Sequence, residues 1–436
     1  MSKLQYLFDA SHRIKKPLLF ITIFIVLSGC SKGLNYHALE SHMVNYDCVA
    51  ATEYIENNKK DYGSNRELLF LLDAGMINML CGNYEKSNAY FHRAEIFAEE
   101  LWTKSITRES ASFLLNDYTI PYSGEDFERA LINLFSSINY LQLGQLDESL
   151  VEVRRLDAVL NMINDKYSKK NVYSEDAFGR YLSGLIYEAD NNLNDAYIDY
   201  YKALHIFETY EEHYGTPVPS ILIEDLVRAA QSTGRTDEIQ SYFDEDISAS
   251  RSNGNTAPDH GKIVLIHFNS IAPVKQSAEI FIPTQEGPVA LAFPSYHVVE
   301  PYCRNSRMIA ASASQQIVSD TEIVEDINRI AVKNLEDRRG RITLKMIARV
   351  AAKQIAIHKV KDKTARQLLN IANLFVEQAD TRSWRTLPGE IYLGRLIVPA
   401  GKYDVNISLC GEGEQFVETV YINPGETRFV LYESMF

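Results

Sequence analysis

The sequence predicts an α+β protein, with an all-α helical repeat domain followed by a β-rich domain, and three observations carry that reading. Over residues 36–243 the apolar side chains recur at a period of 3.6, with few prolines. From Lys262 onward the period drops to two. Between these regimes, residues 244–261 are polar and rich in turn formers, the composition of an interdomain linker. The chain has 436 residues, 46% of them apolar, enough for separate cores and too apolar for wholesale disorder.

In the helical half, Leu71–Ala94 is the clearest unit. Leu71, Gly75, Gly82, Tyr84, Ser87, Phe91 and Ala94 stand at the offsets of a tetratricopeptide helix pair. The small residues let two helices approach closely, and the aromatics fill the space between successive pairs. Tyr140, Gly144, Leu146 and Ser149 form a second unit, and Gly184, Tyr187, Leu193, Ala196, Tyr200 and Ala203 a third. Gly234, Ile239 and Phe243 are a faint fourth. The markers Gly82, Gly144, Asn191 and Gly234 are unevenly spaced, so the array is expected to be tetratricopeptide-like with long helices and insertions.

In the β-rich half, strands are expected at Lys262–Phe268, Ala278–Ile282, Gly389–Val398, Tyr403–Leu409, Phe416–Ile422 and Thr427–Tyr432. Turns at Pro399-Ala400-Gly401 and Asn423-Pro424-Gly425-Glu426 make the last of these an antiparallel meander. Two helices, Thr321–Asp337 and Ile342–Gln378, fall between the strand groups. The order fits an antiparallel β-sandwich-like domain with a helical insertion at about 321–378; helices on one face of a single sheet is the alternative.

No catalytic string is present: there is no His-Glu-x-x-His, Gly-x-Ser-x-Gly or phosphate-binding Gly-x-x-x-x-Gly-Lys. The ten histidines lack metal-ligand spacing, so neither a metal nor a cofactor is expected. A net charge of −14 argues against nucleic acid, whose binding rests on basic patches. The string Tyr122–Arg129 opens a helix, with Ser123 as the expected N-cap and Asp126 as its capping-box partner. Glu128 and Arg129, with Glu152, Arg154 and Arg155, are candidates to line a partner-binding groove; an ion-pair network that sets helix register is the structural alternative. Tyr197, Tyr200 and Tyr201 are candidate aromatic anchors for a partner. Asp380, Arg382 and Trp384 lie where the inserted helix returns to strands, and packing at that junction is their expected role. Cys48 and Cys81 are a candidate disulfide if their helices pair antiparallel, although simple counting leaves the two thiols a few residues out of register.

Ahead of all this, Arg13, Lys15 and Lys16 precede an apolar run from Leu18 to Val26, followed by Leu27-Ser28-Gly29-Cys30. The arrangement resembles a bacterial lipoprotein signal, which implies cleavage before Cys30 and acylation of that cysteine. Loss of residues 1–29 would remove Lys3, Arg13, Lys15, Lys16 and Asp9, taking the net charge from −14 to −17. Such a balance leaves the acyl chains, rather than attraction to anionic lipid, to hold the protein on a bilayer. Ser31 stands where an Asp would resemble an inner-membrane retention signal, so the outer membrane, facing the periplasm, is expected.

Four stretches occur together in this order behind that signal: Gly82-Asn-Tyr-Glu-Lys-Ser87, Tyr122–Arg129, Val151-Glu-Val-Arg-Arg155 and Ala379-Asp-Thr-Arg-Ser-Trp-Arg-Thr-Leu-Pro388. Over nearly the whole chain after Cys30 the sequence resembles a family of proteobacterial envelope lipoproteins with tetratricopeptide-like repeats and this Ala-Asp-Thr-Arg-Ser-Trp motif. The resemblance implies a non-enzymatic envelope protein that works beside other small lipoproteins. The expectation is an outer-membrane lipoprotein that binds periplasmic or outer-membrane proteins while assembling or regulating an envelope machine. A peptidoglycan or glycan binder, and a hydrolase with a dispersed site, are the alternatives.

Overall fold

The computed structural model describes residues 33–112, 118, 120–166, 172–242, 259–284, 287–362, 364–366, 369 and 379–435. Residues 1–29, Cys30, Phe243 and most of the 244–261 linker lie outside them. Two short helices, α1 (Tyr36–Val44) and α2 (Cys48–Asn57), and a single turn, α3 (Lys59–Tyr62), lead into the array. Three long pairs follow: α4 (Glu67–Leu80) with α5 (Tyr84–Ser112), α6 (Asp126–Gln142) with α7 (Leu146–Lys166), and α8 (Ala177–Ala189) with α9 (Leu193–Tyr214). Helices α10 (Ser220–Thr233) and α11 (Thr236–Ile239) begin a fourth.

One geometry recurs in the three long pairs, and the repeat is visible as fixed offsets. Gly75 faces the ring of Phe91, and Gly184 faces the ring of Tyr200 sixteen residues on, so closely that a Cβ at either glycine would collide with the ring. In the second pair Ser137 takes the glycine's place and buried Val153 the aromatic's. Ser87 Oγ donates to the Gly75 carbonyl at 2.7 Å, and Ser149 Oγ to the Ser137 carbonyl at 3.0 Å, each across a separation of twelve. Seven residues into each unit, and again at Gly234, the chain turns with positive φ: Gly82 (73°), Gly144 (72°), Asn191 (60°) and Gly234 (69°). The uneven marker spacing therefore reflects insertions outside a conserved offset pattern. A disulfide joins Cys48 to Cys81, Cα to Cα 5.4 Å, and fastens α2 to the end of α4.

Among the described residues, ten strands form two four-stranded sheets and one hairpin. The first sheet has the order β10 (Thr427–Ser434), β1 (His260–Ile271), β7 (Pro388–Pro399), β6 (Glu322–Asp326). The second has the order β5 (Gln316–Asp320), β4 (Ser306–Ala311), β8 (Gly401–Leu409), β9 (Glu414–Ile422). Among the described residues, strands β2 (Val274–Thr284) and β3 (Gly287–His297) pair only with each other. Side chains alternate across β1: Ile263 and Leu265 join the core between the two sheets, whereas Val264, Ile266 and Phe268 join the core under the helices. In β7, Leu396 and Val398 point to the sheet–sheet core and Ile391 and Leu393 to the helices. The arrangement is three layers, helices on sheet on sheet. A second disulfide, Cys303–Cys410, spans 5.8 Å between Cα atoms and ties the β3–β4 connection to the end of β8.

Four expectations are corrected. The C-terminal strands are not a continuous meander: β8 and β9 form an antiparallel hairpin, but β10 returns to the first sheet and pairs parallel with β1. The reason is burial. Strand β7 is buried on both faces and needs cover on both, whereas β8 alternates buried and exposed, so the turn at Pro399–Gly401 carries the chain across to cover β7. The two expected helices are not separated at Gly340: α12 (Ile327–His358) runs through it, because a single exposed glycine costs only about 1 kcal/mol in a helix and does not break it; residues 364–366 and 369 are helical again, and 370–378 lie outside the described residues. Residues 322–326, expected as helix, form β6 antiparallel to β7, and α12 starts only at its N-cap, Asp326. Likewise α6 is capped by Glu125 with Glu128 as its reciprocal partner, not by Ser123 with Asp126.

The core under the helices is continuous with the first sheet. Phe135 of α6 lies 5.5 Å from Phe268 of β1 and 5.8 Å from Trp384, ring centre to ring centre. Phe135→Ala is expected to cost about 3–5 kcal/mol, the usual range for emptying a buried aromatic site. Helical circular dichroism and tryptophan fluorescence should both shift to lower denaturant and stay superimposed. Two separated transitions would show that the layers unfold independently.

Candidate functional site

The helical array and the sheets meet through two buried polar clusters, and an open cavity adjoins the first. The segment 379–388 builds that first cluster. Arg382 forms a two-pronged ion pair with Asp380, 2.8 Å at each prong, and donates to the backbone carbonyls of Asn65 (3.2 Å) and Ile120 (2.9 Å). The Trp384 backbone N–H donates to Glu128 at 2.7 Å, and its indole N–H to Thr386 at 2.9 Å. Thr386 in turn donates to Asp73 at 2.8 Å, which also accepts from the Tyr36 and Tyr62 hydroxyls, each at 2.7 Å. Burial pushes the Asp73 carboxyl up to about 6 and the Glu128 carboxyl up to about 7, while their hydrogen-bond donors, and for Glu128 also Lys275, pull the other way.

The second cluster joins α8 and α10 to the first sheet. Arg228 pairs with Glu188 (2.7 Å) and Asp225, Lys262 of β1 with Glu188 (2.5 Å), and Arg395 of β7 with Asp225 and, at 2.6 Å, Glu224. The Tyr181 and Tyr200 hydroxyls donate to Asp225 (2.7 Å) and Glu188 (2.8 Å). The surrounding cations hold Glu188 down at about 2 against the effect of burial.

These geometries place the sequence candidates. Glu128 and Arg129 are buried, Arg129 with its guanidinium 4.1 Å from the centre of the Trp102 ring, so neither presents a surface to a partner. Tyr197 and Tyr200 are buried in the array. Tyr201 differs. It is half-buried, 6.1 Å from Tyr242 and 4.7 Å from His205, with Tyr242 43% exposed, and the three rings make an aromatic patch at the surface of α9. Glu152 pairs with Arg155 at 3.0 Å, Arg155 reaches Glu95 at 3.6 Å, and Arg154 donates to the Tyr187 hydroxyl at 2.7 Å, an ion-pair and hydrogen-bond network between helices. Asp380, Arg382 and Trp384 lie together at the junction, Trp384 against Phe91 and Phe135. Among the described residues no group of three or more His, Cys, Asp or Glu side chains could hold a metal ion.

Sequence reading missed the cavity. It has a volume of about 370 Å³ and lies among the start of α6, the β2–β3 hairpin, α12 and the 379–382 segment. Among the described residues, six cationic side chains line it, Lys275, Arg338, Arg341, Lys345, Arg349 and Arg382, with two carboxylates, Glu125 and Asp380. The signal was present in Arg341, Lys345 and Arg349, spaced by four and hence on one helix face.

Glu152 supplies a pH test. Burial, with Glu95 adding to it and Arg155 opposing, pushes its carboxyl from 4.5 to about 7. A carboxyl raised on folding stabilises most below its unfolded value, and that contribution is lost as the pH rises through the folded one. Wild type should therefore lose roughly 2 kcal/mol more than Glu152→Gln between pH 4.5 and 7.5. Parallel denaturation curves for the two proteins across that window would refute the assignment.

No family model and no curated protein matches the chain. Among solved structures, the helical part is similar to the MamA protein, 14% identical over 50% of this chain and 92% of that one, with a TM-score of 0.30. It is similar to BtubC from P. vanneervenii at 11% identity, over 49% and 75% of the two chains, with a TM-score of 0.33. TPR-like repeats of a Podosopora anserina kinesin light chain match at 13% identity, over 51% and 95%, with a TM-score of 0.30. The tetratricopeptide-like character of the array rests on its recurring offsets, not on these likenesses.

Proposed function

We propose that this chain is an outer-membrane lipoprotein, acylated at Cys30 and facing the periplasm, whose helical array is a non-enzymatic scaffold for other envelope proteins. The observation that carries the binding role is the aromatic patch of Tyr201, His205 and Tyr242. Large, stiff rings at a surface lose little conformational entropy on binding and are the side chains that dominate interfaces. Solenoids of stacked helix pairs are a common architecture for such platforms. The anchoring role is supported by the Leu27–Cys30 string, and the two disulfides agree with an oxidising compartment. The polar clusters at the junction support a structural rather than catalytic role, because their carboxylates are engaged by arginines, tyrosines and backbone N–H groups inside the fold.

A photocrosslinking residue at position 242 in native membranes is expected to capture a defined envelope protein. The double variant Tyr201→Ala/Tyr242→Ala should weaken binding of that protein at least tenfold without moving the thermal midpoint by more than a few degrees. A partner captured equally by wild type and double variant would show that the patch is not the interface.

For the anchor, Cys30→Ser should leave the protein unprocessed or release it from the membrane fraction. Unchanged fractionation, with no acyl label on wild type, would remove the lipoprotein reading.

A further inference from the structure

A second cavity, of about 260 Å³, opens between the end of α1, the β3–β4 connection, the β8–β9 turn and the end of β10. Three tyrosines line it, Tyr46, Tyr302 and Tyr432. Tyr46 and Tyr302 are 80% and 83% exposed, so two large rings stand in water beside it. Tyr46 is held there by left-handed backbone (φ 54°), which a bulky side chain rarely adopts. Ser270 (56°) and Cys410 (50°), the neighbours of the lining residues Asn269 and Leu409, share that conformation. Among the described residues the one remaining non-glycine of positive φ is Asn191, in a repeat turn. Strained backbone of this kind gathers where side chains are held for a ligand. The charge of the lining is negative. Among the described residues it has two carboxylates, Glu412 and Glu433, and no Lys, Arg or His. Neither carboxylate makes an ion pair among those residues. Glu412 accepts from the Tyr302 hydroxyl at 2.7 Å, and Glu433 from the Met435 backbone N–H at 3.4 Å. Arg304, beside the lining residue Cys303, is taken by Glu300 (2.9 Å) and Glu390 (3.2 Å). Burial raises the Glu433 carboxyl above its ordinary value, with the Met435 N–H opposing.

We propose that this cavity binds an organic cation, an alkylammonium or guanidinium group. Ring faces attract cations through their quadrupole, and several rings about one point make a cage for such groups. The two carboxylates supply the counter-charge, and a cation beside Glu433 would offset the cost of burying that carboxylate. An anion would meet two like charges, and a neutral ligand would leave them unpaired. A metal ion fits less well, since among the described residues no three His, Cys, Asp or Glu side chains converge. The volume, just below the roughly 300–1,000 Å³ typical of small-molecule sites, suits a charged head group on a short stem. Two sources share this chemistry, a Lys or Arg side chain presented by another protein and a small free amine. The cavity shares no residue with the Tyr201 patch, so its test is independent of the interface assigned there.

The test uses the full-length protein in neutral detergent, by isothermal titration at constant ionic strength. The probes are choline, its neutral carbon isostere dimethylbutanol, and the blocked peptides acetyl-Gly-Lys-Gly-amide and acetyl-Gly-Arg-Gly-amide. Saturable binding of at least one cation is expected, with the neutral isostere at least tenfold weaker than choline or not bound. Tyr302→Leu and Glu412→Gln, both exposed and in neither apolar core, should each weaken cation binding at least fivefold without moving the thermal midpoint. Tyr421→Leu is the control, an exposed tyrosine of β9 outside the lining, and should bind as wild type does. Choline bound more tightly than either peptide assigns the site to a small free amine. A peptide bound at least as tightly as choline assigns it to a protein side chain. Absence of saturable binding by every cation, an isostere bound as well as choline, or equal losses in Tyr302→Leu and Tyr421→Leu overturns the proposal.

Discussion

The structure depends on one constraint: the first sheet is apolar on both faces and must be covered on both. Strand β1 is buried along nearly its whole length, with Ile263 and Leu265 on one side and Val264, Ile266 and Phe268 on the other. Such a strand cannot stand at the surface of a sandwich. The second sheet covers one face and the helical array the other, which makes the helix pairs part of the core of the β half rather than a separate module. Trp384, between Phe91 and Phe135, sits where the aromatic filling of the array becomes the filling beneath the sheet.

Burying a helix array on a sheet also buries charges that face the seam, and several of these are paired. Lys262 and Arg395 project from the sheet toward the helices and meet Glu188 and Asp225; Arg382 is held by Asp380 and by two carbonyls of the array. Buried pairs of this kind add little net stability, since desolvation offsets most of the attraction. Breaking one partner would leave an uncompensated charge, so the clusters penalise any sliding of helices along the sheet. That is the physical content of the 379–388 string: a lock on register, written into ten consecutive residues.

The same seam shapes the surfaces available for binding. Glu125 ends its helix at the edge of the cavity, pairs with Lys275 from the hairpin and Arg338 from α12, and so draws three elements together around an open space. The aromatic patch lies elsewhere on the array, on α9 and the residues after α11.

Periodicity alone determined the α+β class, the helical repeats and the six strands read from alternation, because 3.6- and two-residue patterns record which face of each segment is dry. The turn markers Gly82, Gly144, Asn191 and Gly234 were legible for a related reason: left-handed backbone restricts residue type. Strands β3 to β6 were not legible, since they are short or interrupted by prolines and polar residues and take their conformation from the neighbours they pair with. Nor was the parallel return of β10 to β1, because alternation says a strand has a dry face and is silent about which sheet dries it. Glu128 and Arg129 looked like groove residues because sequence records charge but not burial; only packing against Trp384 and Trp102 shows them enclosed. The cavity was the hardest to read. Its cations come from positions 275, 338–349 and 382, and only the folding of a hairpin and a helix around the end of α6 brings them to one wall.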